Sequence, residues 1–444
     1  MVKTGTGKIK TSPGMFPWYA YGNDFGNSEI CGVLIKNGKM LTKSVPTAYA
    51  EVSASTLKNM NVDTTDALII QLEGEGLEWG IGELSLLQRA GDIWNGRGDV
   101  MRYASRHCLR SILAISGSLT TDSEYGVLVT GGLPAEIYQS SLDPKNDMDL
   151  RKEVKRAITG IHTFTLDDGK TWRICHVEYC GTLMEGAGAA ASVQKAQKVN
   201  PPPIGIIDIG GRTTDLYVAQ KGVPIVSFCQ GKPLGVVTAE NAFRKAFRDR
   251  YHFPPTDLEV RQIMFAYANS ESLEKKPYPE ISNYGSAIPG TELEKMVDTA
   301  VQATADAIVS FVASSWNESD SSTAIAARYD PCVCVGGGAW FFFDALRRRI
   351  KHLQRHANPV FANAIGYARN SASQLEKRGL VQFQQEVETA KAAASLFIEG
   401  TIEEGTLEPV ETETEVNQNE QLQTEQTTQR EKAKWVETTN GTAI

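Results

Sequence analysis

The residues best suited to chemistry lie in Ile204-Gly-Ile-Ile-Asp208-Ile-Gly-Gly-Arg-Thr-Thr-Asp215-Leu. A continuous apolar run, of the kind found in strands buried on both faces, delivers Asp208 to a turn of Gly210, Gly211, Arg212, Thr213 and Thr214. Glycines let backbone approach an anion and leave N–H groups for phosphate oxygens, and two threonines add hydroxyl donors. A carboxylate beside phosphate is repulsive unless a cation bridges them. Mg²⁺ suits that role, because it keeps several waters and takes one or two carboxylates plus substrate phosphates. A bare Asp-x-Gly-Gly reads equally well as a plain hairpin. The full Asp-x-Gly-Gly-x-Thr-Thr-Asp between two apolar runs favours nucleotide phosphate binding.

Three further stretches extend this chemistry. Near the N-terminus, Tyr21-Gly-Asn-Asp24-Phe-Gly-Asn-Ser28-Glu-Ile-Cys-Gly ends a strand on Asp24, turns through Gly26, Asn27 and Ser28, and leaves on another strand. Alone it is weak; paired with the Asp208 turn it forms a second jaw on the same polyphosphate, with Asp24 and Asp208 both facing the metal. Pro331-Cys-Val-Cys-Val-Gly336-Gly337-Gly338-Ala339 opens a buried strand into glycines before a helix, which suits close approach to a nucleoside or simple helix–strand packing. Neither Gly-x-Gly-x-x-Gly nor Gly-x₄-Gly-Lys-Ser/Thr occurs, which disfavours a dinucleotide site and a P-loop. Leu183-Met-Glu185-Gly-Ala-Gly-Ala-Ala places an acid at a helix start, either as favourable dipole chemistry or to orient an attacking water.

The elements that must hold these residues alternate between strands and helices, which points to an α/β protein. Strands are expected at Trp18–Asp24, Glu29–Ile35 and Lys39–Lys43, the last two joined by the hairpin signal Asn37-Gly38. Residues 45–90 suit a small insertion with strands of its own. Helical spacing of Ala104, Cys108, Ile112 and Ile115 predicts a helix over Val100–Ser116. Tyr125–Val129 reads as a strand, and Gly160–Thr165 and Thr171–Glu178 flank a turn at Asp167-Asp168-Gly169. A helix over Glu185–Lys198 ends before Pro201-Pro202-Pro203. After Ile204–Ile209, strands at Asp215–Ala219 and Val223–Cys229 extend a second sheet, followed by helices at Thr238–Tyr251, Asp257–Tyr267 and Glu292–Ser315. Cys332–Val335 leads into a helix through Lys351, and a last helix runs to about Glu388. The order strand, acid-tipped turn, strand, later helix occurs from Trp18 and again from Ile204, a hint of two similar halves.

Composition sets the outer limits. The 444 residues are 41% hydrophobic and 22% charged, as in globular chains. The net charge of −8 is concentrated after Gly400, where ten Glu face three basic residues. The remainder is nearly neutral, so no basic field argues for direct nucleic-acid binding. That Glu/Thr/Gln-rich stretch has too few apolar residues to repay ordering, and disorder is expected there. No run approaches the 18–20 uncharged apolar residues of a membrane span, and the N-terminus lacks a signal-peptide core. The seven cysteines show no zinc spacing, and burial in a reducing, cytoplasmic setting is the simplest reading. His107, His162, His252 and His356 have no recurrent spacing.

With these elements in this order the chain resembles the actin-like ATPase superfamily, most closely ParM/StbA-type plasmid-segregation proteins and their archaeal actin-like relatives. The resemblance rests on Asp24-Phe-Gly-Asn-Ser, Val129-Thr-Gly-Gly-Leu-Pro134, Glu185-Gly-Ala-Gly-Ala, Asp208-Ile-Gly-Gly-Arg-Thr-Thr-Asp215, Val335-Gly-Gly-Gly-Ala339 and Pro359-Val-Phe-Ala-Asn-Ala-Ile-Gly-Tyr367. It implies two ribonuclease H-like α/β domains facing each other across a nucleotide cleft. The expected division is an extension over 1–17, a first domain over 18–200 with an insertion at about 45–95, a second over 201–399, and the acidic tail over 400–444. It implies ATP, with GTP as the alternative, and Mg²⁺. Asp24, Gly26, Asn27 and Ser28 would form the first phosphate turn, and Gly210, Gly211, Arg212, Thr213 and Thr214 the second. Asp208 would be the metal-side acid, Glu185 the water-orienting acid, and Gly336, Gly337 and Gly338 the adenosine contact, with Glu240 a weaker nucleoside candidate. Two departures are Leu183-Met184 where a Pro is often found before the acid, and the cation of Arg212.

The resemblance implies an ATPase whose copies stack head to tail on binding ATP and separate on hydrolysis, for plasmid or DNA segregation or a related cytoskeletal role. A DNA-binding adaptor is a candidate partner, and no membrane is. A sugar-type kinase on the same fold is the alternative, but it needs a base beside an acceptor hydroxyl and a polar pocket, which the sequence does not offer. A chaperone needs a β-rich C-terminal domain, and the tail has no strand pattern. The basic run Arg347-Arg348-Arg349-x-Lys351-His352 reads as a solvated helix face beside the acidic tail, or as a contact for DNA, an adaptor or a neighbouring subunit.

Overall fold

The computed structural model describes residues 16–60, 67–88, 99–143, 148–166, 171–193, 202–268, 277–316 and 325–379, with the backbone of 398–399. The Asp167-Asp168-Gly169 turn, residues 194–201 and the acidic tail after 399 lie outside the described residues.

The first half builds one nine-stranded sheet. Its strands are β1 (Trp18–Phe25), β2 (Glu29–Lys36), β3 (Lys39–Pro46), β4 (Tyr49–Val52), β5 (Leu68–Leu72), β6 (Glu78–Ile81), β7 (Glu124–Leu133), β8 (Gly160–Leu166) and β9 (Trp172–Met184), in the order β3-β2-β1-β7-β9-β8-β5-β6-β4. The strands of 45–90 therefore continue the same sheet, β5 pairing with β8. The helices of this half are α1 (Ala54–Asn59), α2 (Glu83–Gln88), α3 (Arg106–Ser118), α4 (Ala135–Ser140), α5 (Leu150–Ile158) and α6 (Ala187–Ser192). The helix expected over Val100–Ser116 is broken: Val100–Ala104 is a 3₁₀ turn, and Ser105 caps α3 by accepting from the Cys108 N–H. That hydroxyl satisfies a helix-start donor and so favours a boundary there.

The second half follows the same plan. Here β10 (Ile204–Ile209) and β11 (Thr214–Gln220) form a hairpin, joined by β12 (Val223–Pro224) and β13 (Gln230–Lys232). The strand expected over Val223–Cys229 is interrupted by a 3₁₀ turn at Val226–Phe228. After α7 (Val236–Tyr251) and α8 (Asp257–Ala268) comes a two-stranded hairpin, β14 (Ser282–Asn283) and β15 (Ser286–Ala287), and then α9 (Gly290–Ser315). β16 (Cys332–Val335) lies parallel to β10, and β17 (Leu353–His356) parallel to β16; between them α10 (Ala339–Arg347) ends short of Lys351. β18 (Ile398–Glu399) pairs antiparallel with β17. In both halves an antiparallel hairpin leads to a later parallel strand beside its first member: β1–β2 with β7, and β10–β11 with β16. The two-halves hint thus corresponds to topology.

Each sheet buries its own core. Phe243, Phe247, Val297, Val301, Ile308 and Phe342 pack from α7, α9 and α10 onto β10 and β11. The 26-residue α9 is apolar and long enough to cross a membrane, yet Leu293, Val297, Val301, Ile308 and Val312 face this core. In the first half, Leu109, Ile112 and Leu113 of α3 cover β1 and β7. The described cysteines are all free thiols, and all but the half-buried Cys180 are buried.

The last described helix, α11 (Ala362–Lys377), leaves the second sheet and packs on β1, β7 and α6 of the first. Backbone meets backbone along this seam. A Cβ at Gly22 would stand 2.0 Å from the Ala364 carbonyl oxygen, and one at Gly366 only 1.8 Å from that of Gly188. The halves are also linked by Arg261 of α8, which donates through both terminal nitrogens to Glu83 of α2.

The seam gives a test with an opposite sign to helix propensity. In an exposed helix Gly→Ala gains up to about 1 kcal/mol. Here Gly366→Ala is expected to cost about 2–3 kcal/mol through overpacking, measured as a lower urea midpoint with unchanged slope; a raised midpoint would refute the close contact.

Candidate functional site

Each central parallel strand carries an acid to its carboxyl end: Asp24 on β1 and Asp208 on β10. Asp24 stands opposite Cys31 on β2, and Asp208 opposite Asp215 on β11. The turns that follow meet one another. A Cβ at Gly211 would stand 1.9 Å from the Ser28 hydroxyl oxygen, so only glycine allows this approach. Two hairpins 180 residues apart in the chain thus close on one crevice.

The acids share an asparagine. Asn363, buried in the first turn of α11, donates from Nδ2 to Asp208 Oδ2 at 2.6 Å, and its side chain also bonds to Asp24. Its Oδ1 accepts from the Gly186 and Ala189 N–H groups, each at 3.1 Å. These last contacts fix the turn that carries Glu185. The helix expected from Glu185 begins at Ala187 instead, because Gly186 takes the left-handed conformation at φ 84°. Glu185 remains half-buried in the turn, its N–H donating to the Leu133 carbonyl at 2.8 Å.

Burial pushes the Asp24 carboxyl up to about 7, with the Asp208 charge adding to the shift, and Asp208 up to about 6. Glu185 is held well above its ordinary value by burial and then by Asp215, Asp24 and Asp208; Asp215 is raised by burial and by Asp208. One cation works against this. Arg102 is 3% exposed, donates Nη1 to the Gly26 carbonyl at 3.0 Å and Nη2 to the Tyr103 hydroxyl at 2.6 Å, and favours ionised Asp24 and Glu185.

Four carboxyls around one crevice call for positive charge. Among the described residues no three His, Cys, Asp or Glu side chains converge on a metal position. That donor set does not fit a protein-only cage, but it fits Mg²⁺ held by one or two carboxylates, waters and phosphate oxygens. One buried polar atom beside the acids, Tyr367 Oη, finds no partner among the described residues. Such an atom in a native fold points to a group that completes the site.

The remaining sequence candidates divide. Gly26 gives its carbonyl to Thr47 as well as Arg102, and Asn27 sits half-buried in the first turn. The Gly210 N–H donates within its own turn to the Thr213 carbonyl at 2.8 Å. Thr213 stays at the half-buried turn and bonds Asp215. Thr214, expected as a phosphate donor, is buried with its hydroxyl given to the Leu234 carbonyl at 2.7 Å, because the strand alternation turns it inward. Arg212 is half-buried at the same turn. The start of α7 rests on this turn, the Val237 N–H reaching the Gly211 carbonyl at 2.8 Å, and Glu240 lies half-buried one turn further on. Of the three glycines, Gly336 (φ 82°) and Gly338 pack against Asp208 and Ile209, whereas Gly337 faces open space. Asn363, Asp215, Arg102 and Tyr367 complete the site without having been singled out. The first two and Tyr367 lay inside motifs already read, but nothing in the spacing marked Arg102.

Behind the first turn, a small, partly open cavity is lined by Asn23, Phe25, Tyr103, Cys108, Leu133 and Thr182, among others. Its walls are mainly apolar and offer no acidic base.

Comparisons follow this geometry. No family model and no curated protein sequence matches the chain. Solved structures do. Ta0583, an archaeal actin homolog, superposes with a TM-score of 0.59 at 18% identity, covering 80% of this chain and 99% of that one. ParM from Clostridium botulinum, solved as the whole structure of a 15-stranded filament, gives 0.60 at 21% identity, covering 81% and 100%. Bacillus thuringiensis ParM with ATP gives 0.57 at 15% identity, covering 81% and 99%. At such identities the likeness is one of fold. The chain has the actin-like fold.

The acids set a pH dependence whose sign can be worked out. Folded Asp24 and Asp208 keep their protons to about pH 7 and 6, whereas the unfolded value is 3.8. The folded state binds more protons in that window, so this contribution to stability is lost as pH rises from about 4 to 7. The ligand-free melting temperature is expected to fall over that range, and Asp24→Asn to flatten the fall; an Asp24→Asn slope equal to wild type would refute the placement.

Proposed function

We propose that this chain, which has the actin-like fold, is an ATPase that assembles head to tail on binding ATP and loosens on hydrolysis. The observation that carries the reading is the meeting of the Ser28 and Gly211 turns over Asp24 and Asp208, tied through Asn363. The structural likeness to a filament of ParM and to ParM with ATP supports it. The role we propose is plasmid or DNA segregation or a related cytoskeletal task in the cytoplasm, with a DNA-binding adaptor as partner.

In this reading the two turns grip the triphosphate from opposite sides with backbone N–H groups and the Ser28 and Thr213 hydroxyls. Gly337 offers the open backbone surface for the nucleoside, and Glu240 stands on the neighbouring helix. ATP is the expected nucleotide, with GTP the alternative. Asp208 and Asp24 would hold Mg²⁺, which when bound offsets phosphate charge. Glu185 orients the attacking water. Its raised proton affinity suits a group that accepts a proton near neutral pH. Arg102 braces the first turn through Gly26 and lowers the proton affinity of Glu185 against the pull of burial and the other acids. Closure brings the halves into one shape, and a heterologous contact between such shapes gives an open filament.

Two measurements test the reading. Sedimentation with Mg-ATP should move the protein to the pellet, and protein that stays in the supernatant at high concentration across salts would count against assembly. Glu185→Gln should still pellet with ATP while phosphate release slows by about 10²–10⁴-fold; an unchanged rate would remove Glu185 from its role.

A further inference from the structure

The basic run that the nucleotide site leaves unused lies in the connection from α10 to β17. Between Trp340 and His356 five cations, Arg347, Arg348, Arg349, Lys351 and Arg355, stand against one acid, Asp344. Arg347, Arg348, Arg349 and Lys351 are exposed. Arg347, Arg348 and Lys351 form no ion pair with a carboxylate among the described residues. Arg355 is held back, stacked 4.7 Å over Trp340 and 5.3 Å over Phe343. Arg347, Arg348 and Lys351, three exposed cations within five positions, repel one another, and a polyanion placed against them removes that repulsion.

The register of β18 says which anion arrives there. Ile398 pairs with His356 and Glu399 with Arg355, antiparallel. β18 thus runs from the His356 end of β17 toward its Arg355 end, the end nearer in sequence to Lys351. Glu403 and Glu404 lie four and five residues beyond Glu399, and Lys351 lies four residues before Arg355. From residue 401 onward ten Glu face three basic residues. Charge, direction and reach agree on one occupant.

We propose that the cationic end of α10 and the loop to β17 form a docking surface for this chain's own glutamate-rich segment beginning at Glu403. The contact is electrostatic and formed within one copy. It covers a patch that would otherwise attract nucleic acid or the acidic surface of another protein.

The test is zero-length carbodiimide cross-linking of the full chain, using an equal mixture of ¹⁵N-labelled and unlabelled protein, read by mass spectrometry. Lys351 should link to Glu403 or Glu404 in same-isotope pairs. The yield should fall about tenfold at about 0.5 M salt, where screening shortens to about 4 Å. The Lys36–Asp122 pair, 3.0 Å apart in the first half, is the internal control. Linkage of that control without any Lys351 product would overturn the proposal, and mixed-isotope products would assign the surface to a second copy instead. As an independent readout, Glu403→Gln with Glu404→Gln should raise affinity for duplex DNA several-fold at low salt. Wild-type protein that binds duplex DNA as tightly as this variant would give the surface to nucleic acid.

Discussion

Everything at the centre of this molecule depends on one unfavourable arrangement: carboxyl groups crowded where water is scarce. Burial raises all four, the Asp208 charge adds to the cost of ionising Asp24 and Asp215, and Glu185 is raised further by Asp215, Asp24 and Asp208. Such crowding persists only because the surrounding fold over-determines it. The single amide of Asn363 does much of that work, giving a proton to Asp208 and taking two from the backbone beside Glu185. The acids are thereby registered to one another through a helix that belongs in sequence to the second half and in space to the first.

That helix explains why the two halves act together. Each sheet has its own core, and two further clusters span the halves. What joins them is α11, whose small residues let backbone lie against backbone at Gly22, Gly188 and Gly366. A seam of this kind has no flexible side chains to absorb a shift. The turn that carries Glu185 and the Asp208 carboxylate thus share one partner, Asn363, on this seam.

Much of this was legible in the sequence, for physical reasons. Apolar runs ending in an acid and glycines gave β1, β10 and β16 to within a residue or two, since buried central strands carry the strongest signal a chain can show. The same runs placed Asp24 and Asp208. Boundaries set by one hydrogen bond were not legible: Ser105 splits a helix that periodicity joins, and Gly186 delays one that composition begins early. Thr214 looked like a phosphate donor because the motif treats its two threonines alike, while strand alternation sends one hydroxyl to Leu234. Arg102 was invisible because a buried cation is recognisable only from what surrounds it. Asn363 was read within a motif, yet no pattern along a chain reveals a partner 155 residues away.

Contacts of different kinds join the halves. Along α11 they are stitched by packed backbone, which salt does not loosen. Elsewhere Arg261 meets Glu83, a pair of solvent-exposed charges. Attraction between such charges weakens as dissolved ions gather around them. Dissolved salt therefore weakens one of these two joints and leaves the other as it is.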